Sequence, residues 1–533
     1  MVVDIKLIID MKKIIIFILF LTALHTLKGE SFKCGELYYS INKFDKSAVE
    51  VMCSDYSVFS GYPSTRNYSK LTSVIIPSSV VHNNKTYRVV GIAEHAFEAS
   101  TLSSIVIPHS VGRIASNAFN YCDSLKSIVV KKGNPVYDSR NNCNAIIETE
   151  SNKLIVGCQS TIIPDGVKQV GRESFRGCGS LKSIVIPKGT KCIADKAFQD
   201  CLSLVSVVVM DGVETVGSNV FWGCESLTSL SLPNSVKIIG ENILGLTALY
   251  ANESNWKEGV LRVNNHVIRV KKSLSGDYVM PTTIRSVASC AFLGCSSITS
   301  ITLSEHIVNI GSSTFSCCSA LKNVYIPDGV KQIGSFAFMD CASLREIKLP
   351  KGIREIEEGC FMGCSSLESI TLPVNLFSIN REAFLECSSL SQVKVPEYVK
   401  NIGVRAFCAC SSLDVITLGK NIKRIGESAF YGTCFYNTAS NWQDGVFYID
   451  DYLIEAKGWI KGIYIIREGT RLIADDAFYA CESLKSVSIP KSVKSIGEYA
   501  FWHCASMDTL IVPQTVIWVP KRVFSNEPME VLF

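Results

Sequence analysis

The sequence predicts a β-rich solenoid, a coil of stacked turns of about 23 residues each, and three regularities predict it. A phenylalanine recurs every 23 residues: at 175, 198 and 221, at 292, 315, 338, 361, 384, 407 and 430, and at 478, 501 and 524. Phe97 and Phe119 open this series and Leu244 substitutes once, giving sixteen anchors. Eleven of the 16 prolines lie eleven residues before an anchor, as Pro187 and Pro350 do. Twelve of the 22 cysteines lie three residues after one, as Cys201 and Cys364 do. A fixed period of this length marks a repeat architecture, in which one unit cannot bury its own apolar face and stacked units can.

The elements follow in chain order. Lys12 and Lys13 precede the apolar run Ile14 to Leu21, and Gly29 offers a small residue near a cut, the layout of a secretory signal peptide over 1–29. Asp4 and Asp10 suit its first part poorly, which points to Met11 as the true start. Residues 30–70 precede the repeats and are read as an amino-terminal β cap, since an open solenoid end would expose core and unpaired strand. The repeats then run over 71–524. In each, a segment such as Leu367-Glu-Ser-Ile-Thr-Leu-Pro373 alternates apolar and polar residues, the pattern of a short half-buried strand. The proline lacks an N–H and ends the ladder. A second segment, such as Val330 to Phe338, can point Val, Ile and Phe inward together, with Gly334 permitting a tight bend or a close approach.

Three breaks interrupt the period, near 127–163, 246–281 and 432–468. The last two are copies: Asn255-Trp256-x-x-Gly259-Val260 matches Asn441-Trp442-x-x-Gly445-Val446. Asn264-Asn265 and Asp450-Asp451 fall between apolar runs, so each break is expected to be a β-hairpin decorating the solenoid. Residues 525–533 are read as a short tail, either a minimal cap or the end of a truncated frame.

The unit F-x-x-C-x-S-L-x-S-I-x-I-P-x-x-V-x-x-I-G-x-x-A resembles the BspA-like leucine-rich repeat, also called the Treponema pallidum type, over roughly 71–524. The insert from Asn134 to Glu148 is similar to one found among Bacteroides-type members. The resemblance implies a leucine-rich-repeat right-handed coil with short parallel strands. It also implies an exported protein, extracellular or on the outer cell surface, that binds host proteins or other cells and carries no catalytic residues.

Composition and motifs narrow the function classes. The chain is 47% apolar and 19% charged, a globular balance. Its net charge of +4 is too mild for nucleic acid as the main partner. No stretch after the leader is long enough and apolar enough for a transmembrane segment. The seven histidines are scattered, and Cys408-Ala-Cys410 and Cys317-Cys318 lack zinc spacing, so no metal, cofactor or catalytic group is assigned. Stacked turns hold the column cysteines parallel, which favours small buried apolar residues over disulfides. Cys34 with Cys53, and Cys143 with Cys158, are the pairs better placed for bridging.

Two outward columns carry the candidate sites. The residue after the first Ile of Leu-x-Ser-Ile-x-Ile should face outward. That column reads Ile75, Val106, Val129, Val185 and Val208, then polar residues with Tyr325 among them. An exposed apolar strip marks an interaction surface, or reflects the preference of β-branched residues for a ladder. Lys168, Lys237, Lys331, Arg354, Lys400, Lys423 and Lys494 form a second column, which fits an acidic partner or anionic glycan, or a solvated face. The function read from this is a non-enzymatic exported binding module, adhesin-like, for proteins or glycans on host or bacterial surfaces. The alternative is structural self-association or coaggregation between cells.

Overall fold

The computed structural model describes residues 31–53, 68, 70–507, 509–523 and 530–532; the leader read over 1–29 and the anchor Phe524 lie outside them. The described chain divides into two compact units. One runs to Ser235 and includes Asn242–Asn252; the other comprises Val236–Glu241 and everything from Glu253 onward.

The first unit opens with an antiparallel meander of Ser31–Cys34, Leu37–Ile41 and Ala48–Met52. Ala48–Met52 pairs in parallel with Lys85–Ile92, which folds back on Ser79–His82 across Asn83 and Asn84. Both asparagines adopt positive φ, 48° and 59°, the backbone a two-residue hairpin needs. Sequence reading missed this hairpin because it lies inside the span assigned to repeats. Ile92 then pairs in parallel with Ile114, so the meander and hairpin run directly into the ladder of the turns.

Each turn carries two short parallel ladders. Ser73–Ile75, Ser104–Ile107 and Ser127–Val130 form one, in register Ser73↔Ser104↔Ser127. Ser183–Ile186, Ser206–Val209 and Ser229–Ser231 form the next, at the 23-residue offset Ser183↔Ser206↔Ser229. Ile184 and Ile186 are buried while Val185 between them faces solvent, as period-two alternation requires. The second ladder joins Gln169–Val170, Cys192–Ile193 and Thr215–Val216.

The second unit repeats this plan. Ser297–Thr302 lies between Ser275–Val279 and Asn323–Tyr325, and Glu355–Ile356, Ser378–Ile379, Asn401–Ile402 and Arg424–Ile425 build the other ladder. The Phe column forms its spine: Phe338, Phe361, Phe384, Phe407 and Phe430 stack with ring centroids 5.1–5.5 Å apart and planes within 11° of parallel. Gly334 serves close approach rather than a bend: a Cβ there would stand 2.7 Å from the Ser312 backbone nitrogen of the preceding turn.

The third side of each turn is a hydrogen-bonded ladder that sequence did not reveal. The anchor N–H donates to the carbonyl just before the next anchor, as Phe175 does to Ala197 at 2.8 Å and Phe384 to Ala406 at 2.8 Å. The residues two before and two after the anchor donate likewise, and both sit in the left-handed region: Lys196 and Asp200 around Phe198, Arg405 and Ala409 around Phe407. Most are not glycine, so propensity gave no sign of them.

The breaks are hairpins, with one correction. Val260–Val263 and His266–Val270 turn across Asn264-Asn265, and Val446–Ile449 and Tyr452–Ala456 across Asp450-Asp451. They do not merely decorate the solenoid. The return strand of each pairs in parallel with the following turn: Lys153–Val156 with Gln169–Val170, His266–Val270 with Ser286–Val287, and Tyr452–Ala456 with Leu472–Ile473. The physical reason is burial: Leu154, Val267 and Leu453 are fully buried, which an outlying hairpin would not permit. The first insert is also pinned by Asn134, whose amide donates to Pro108 and Val111 and accepts from Val136 and Tyr137. At the other end, Glu530–Leu532, read as tail, pairs in parallel with Thr509–Ile511.

Candidate partner-binding surface

The outward column is built by the ladder itself. In the first unit Ile75, Val106 and Val129 are cross-strand neighbours, as are Val185 and Val208. Ile75, at 66%, is the most exposed of these, Val129, Val185 and Val208 are also exposed, and Val106 is half-buried. Sequence reading missed Ile162, which is 78% exposed. Its signal was available: it precedes Pro164 by two residues, as Val106 precedes Pro108 and Val185 precedes Pro187. Ile162 bridges the gap that the first insert leaves between Val129 and Val185 in the chain order of the column. Six apolar residues therefore follow one another in the chain order of the column: Ile75, Val106 and Val129 on one ladder, Val185 and Val208 on the next, and Ile162 between them outside either ladder. Beside them run serines, with Ser104 donating its hydroxyl to Ser73 at 2.7 Å.

In the second unit the expectation of a polar column needs correction. Val279, Tyr325, Ile465 and Ile511 hold the same place and are exposed, interleaved with Lys348, Thr371, Lys394 and Thr417. Val279 and Ile465 were missed because the strands Ser275–Val279 and Gly462–Ile465 lie in the inserts, where the motif is lost, yet pair in register with Thr302 and Ser488. Tyr325 donates its hydroxyl to Glu305 at 2.9 Å.

The basic column is outward as well. Lys168, Lys237, Lys331, Arg354, Lys423 and Lys494 are exposed and Lys400 is half-buried. Arg354 donates to the Asn375 carbonyl and Lys494 to the Lys491 carbonyl.

The column cysteines are buried, and no disulfide joins any cysteine among the described residues. Neither proposed pair is bridged. Cys34 Sγ is directed at the Val81 carbonyl, Cys143 Sγ at Ala145 and Cys158 Sγ at Asn144, so each thiol is oriented by a backbone acceptor rather than by its proposed partner. Burial pushes Cys122, Cys318 and Cys364 up, to about 12 each. Such thiols stay protonated and unreactive, the opposite of a nucleophile. Among the described residues no group of three or more His, Cys, Asp or Glu is placed to hold a metal, and no helix is long and apolar enough to cross a membrane.

Stacked parallel strands, an aromatic spine and a flat outward face define a leucine-rich-repeat solenoid. The family model for the BspA type leucine rich repeat region matches residues 63–149, 145–268, 271–387, 331–461 and 448–531, and the chain belongs to that family. Similar crystal structures include a leucine rich cell surface protein from Faecalibacterium prausnitzii, with 23% identity over 73% of this chain and 94% of that one, at a TM-score of 0.27. A leucine-rich repeat protein from Bacteroides ovatus is 23% identical over 94% of this chain and 98% of that one, at a TM-score of 0.28. One from Eubacterium ventriosum is 18% identical over 78% and 99%, at a TM-score of 0.35. No curated protein matches.

Proposed function

We propose that this protein is an exported, non-enzymatic binding module that holds a protein or glycan on host or bacterial surfaces through its strand face. The observation that carries the reading is the run of outward apolar residues Ile75, Val106, Val129, Ile162, Val185 and Val208. These positions could be polar without loss to the core, because inward alternates such as Ile105, Ile128 and Val207 supply the burial. A regular apolar strip on a rigid ladder desolvates at little cost in entropy and gains contact turn by turn. The buried, protonated thiols and the family membership support a role without chemistry. The leader read over 1–29, and the description of the Faecalibacterium relative as a cell surface protein, support export.

The test is a binding screen of the protein against matrix proteins, cell surfaces and glycans. It runs beside a variant with Val106, Val129, Ile162, Val185 and Val208 changed to Ser. Loss of binding in the variant supports the strip as the site. Retained binding moves the site to the basic column or the inserts. Concentration-dependent oligomers in place of any ligand, abolished by the same changes, would replace this reading with self-association.

A further inference from the structure

The third insertion opens a cleft of about 660 Å³ in the second unit. Six aromatic residues line it: Phe430 of the buried spine, and Tyr431, Tyr436, Tyr479, Tyr499 and Trp502. The carboxyls of Glu427, Glu455, Asp475 and Asp476 share the lining. The Tyr436 hydroxyl donates to Glu455 at 2.7 Å, and Trp502 meets the Tyr499 ring edge-on at 5.0 Å. Tyr431 and Tyr479 are about half exposed, so their rings are open to a ligand.

The charge in this cleft is only partly balanced by its own neighbourhood. Arg424 is committed to Asp475 at 2.8 Å and Glu498 at 3.1 Å. The Lys457 ammonium lies 3.7 Å from the centre of the Trp442 ring. Glu427 and Asp476 have no ion-pair partner among the described residues. Burial, with the Glu427, Asp475 and Glu498 carboxylates around it, pushes Asp476 up to about 7.

The fold does not require these residues. The second insertion is a copy 186 residues earlier, by the matching Asn255-Trp256 and Asn441-Trp442. At the equivalent positions it has Gly245, Leu293, Ser313 and Ser316 in place of Tyr431, Tyr479, Tyr499 and Trp502. It has Arg269 in place of Glu455 and Cys290 in place of Asp476, and Arg269 donates to the Cys290 carbonyl at 2.7 Å. It keeps Glu241 and Tyr250 in place of Glu427 and Tyr436 and has Ser289 in place of Asp475, so the same hairpin closes with one carboxylate, one arginine and one ring of the compared set. The carboxyls of Glu455, Asp475 and Asp476 and the rings of Tyr431, Tyr479, Tyr499 and Trp502 are particular to the third insertion.

We propose that this cleft is a second binding site, separate from the strand face, which takes the ammonium or guanidinium group of a lysine- or arginine-bearing peptide segment of a protein partner. Ring faces attract cations through their quadrupole, and carboxylates in a partly desolvated cleft do so by charge. A cation relieves the mutual repulsion of Glu427, Asp475 and Asp476. A neutral sugar could stack on the same rings but would leave Glu427 and Asp476 without a compensating charge.

The test uses the full chain at pH 8 and a fluorescent peptide alternating Gly with Lys and Arg. A Gln-for-Lys/Arg peptide and a neutral hexasaccharide are the competitors. The cationic peptide should bind, and neither competitor should displace it. Asp476→Asn, close to isosteric, and Trp502→Ala should each weaken binding tenfold or more. The exposed Glu346→Gln, which removes the same charge elsewhere, and the Val185→Ser, Val208→Ser pair should leave it within twofold. Absence of binding, displacement by the hexasaccharide, or equal weakening by Glu346→Gln would overturn the proposal. The strand-face variants read the other site, so the two readings fail separately.

Discussion

The Cys387 thiol lies 3.1 Å from the carbonyl oxygen of Phe361, 26 residues earlier and one turn away. The same bond joins Cys201 to Phe175, Cys224 to Phe198, Cys341 to Phe315, Cys364 to Phe338 and Cys410 to Phe384. Each anchor carbonyl already accepts the N–H of its own turn's cysteine, as Phe361 does from Cys364 at 3.1 Å. The thiol uses the second lone pair, so the column cysteine is a small buried residue that also ties one turn to the next. Cys387→Ala removes both the volume and the weak donor. It should cost about 1–2 kcal/mol by denaturant unfolding. Cys387→Ser, which keeps a donor, should recover part of that.

Thiol chemistry should divide the cysteines in two. Cys34, Cys53, Cys192, Cys317, Cys408 and Cys434 are half-buried and the other sixteen are buried. A thiol reagent at pH 8 should label at most those six in the native protein, and all 22 in denaturant, by mass spectrometry. Native labelling of Cys364 or Cys387 would contradict the packed column.

The Phe spine should be unforgiving. Phe361 is fully buried, with Phe338 and Phe384 stacked on its two sides at 5.5 and 5.4 Å. Phe361→Ala should cost about 3–5 kcal/mol through lost burial and a cavity. Hydrogen exchange should accelerate most in the turns around 338–384, since each turn contacts chiefly its neighbours.

Some glycine substitutions should stabilise. Leu246 is exposed and held at φ 61°, where a Cβ crowds the following carbonyl. Equivalent positions two residues after an anchor are already Gly223 and Gly294. Leu246→Gly should raise stability by about 0.5–1 kcal/mol, the relief of strain exceeding the extra chain entropy of glycine. A fall in melting temperature would refute this.

Stability should fall as pH rises through the window set by Asp476. Its folded pKa is raised from 3.8 to about 7, by burial first and then by Glu427, Asp475 and Glu498. Between those values the folded state binds the extra proton, so this group favours folding below about pH 4 and loses that contribution as pH rises towards 7. Asp476→Asn should flatten the melting-temperature profile between pH 4.5 and 8. Parallel profiles for the two proteins would show that Asp476 does not titrate in this way.

Particular residues show how much of this was legible beforehand. The register Ser183↔Ser206 and the inward Ile184 with outward Val185 follow from a 23-residue period laid over a period of two. Lys331 and Lys423 fell on an outward face for the same reason. Ile162, Val279 and Ile465 were not read, because the motif around them is broken and only strand pairing returns them to the column.

What the sequence by itself determined is therefore the repeat: its period, its spine, its buried thiols and most of its outward strip. All are columns of side-chain type, and column identity survives without coordinates. What only the tertiary structure decided are features that depend on which turn lies against which. The left-handed pairs around most described anchors are held by inter-turn hydrogen bonds that non-glycine residues such as Lys196 and Arg405 do not advertise. The return strands of the inserts join the ladder because burial draws them in. The acidic aromatic cleft gathers residues from Glu427 to Trp502, and only the packing of the third hairpin brings them together.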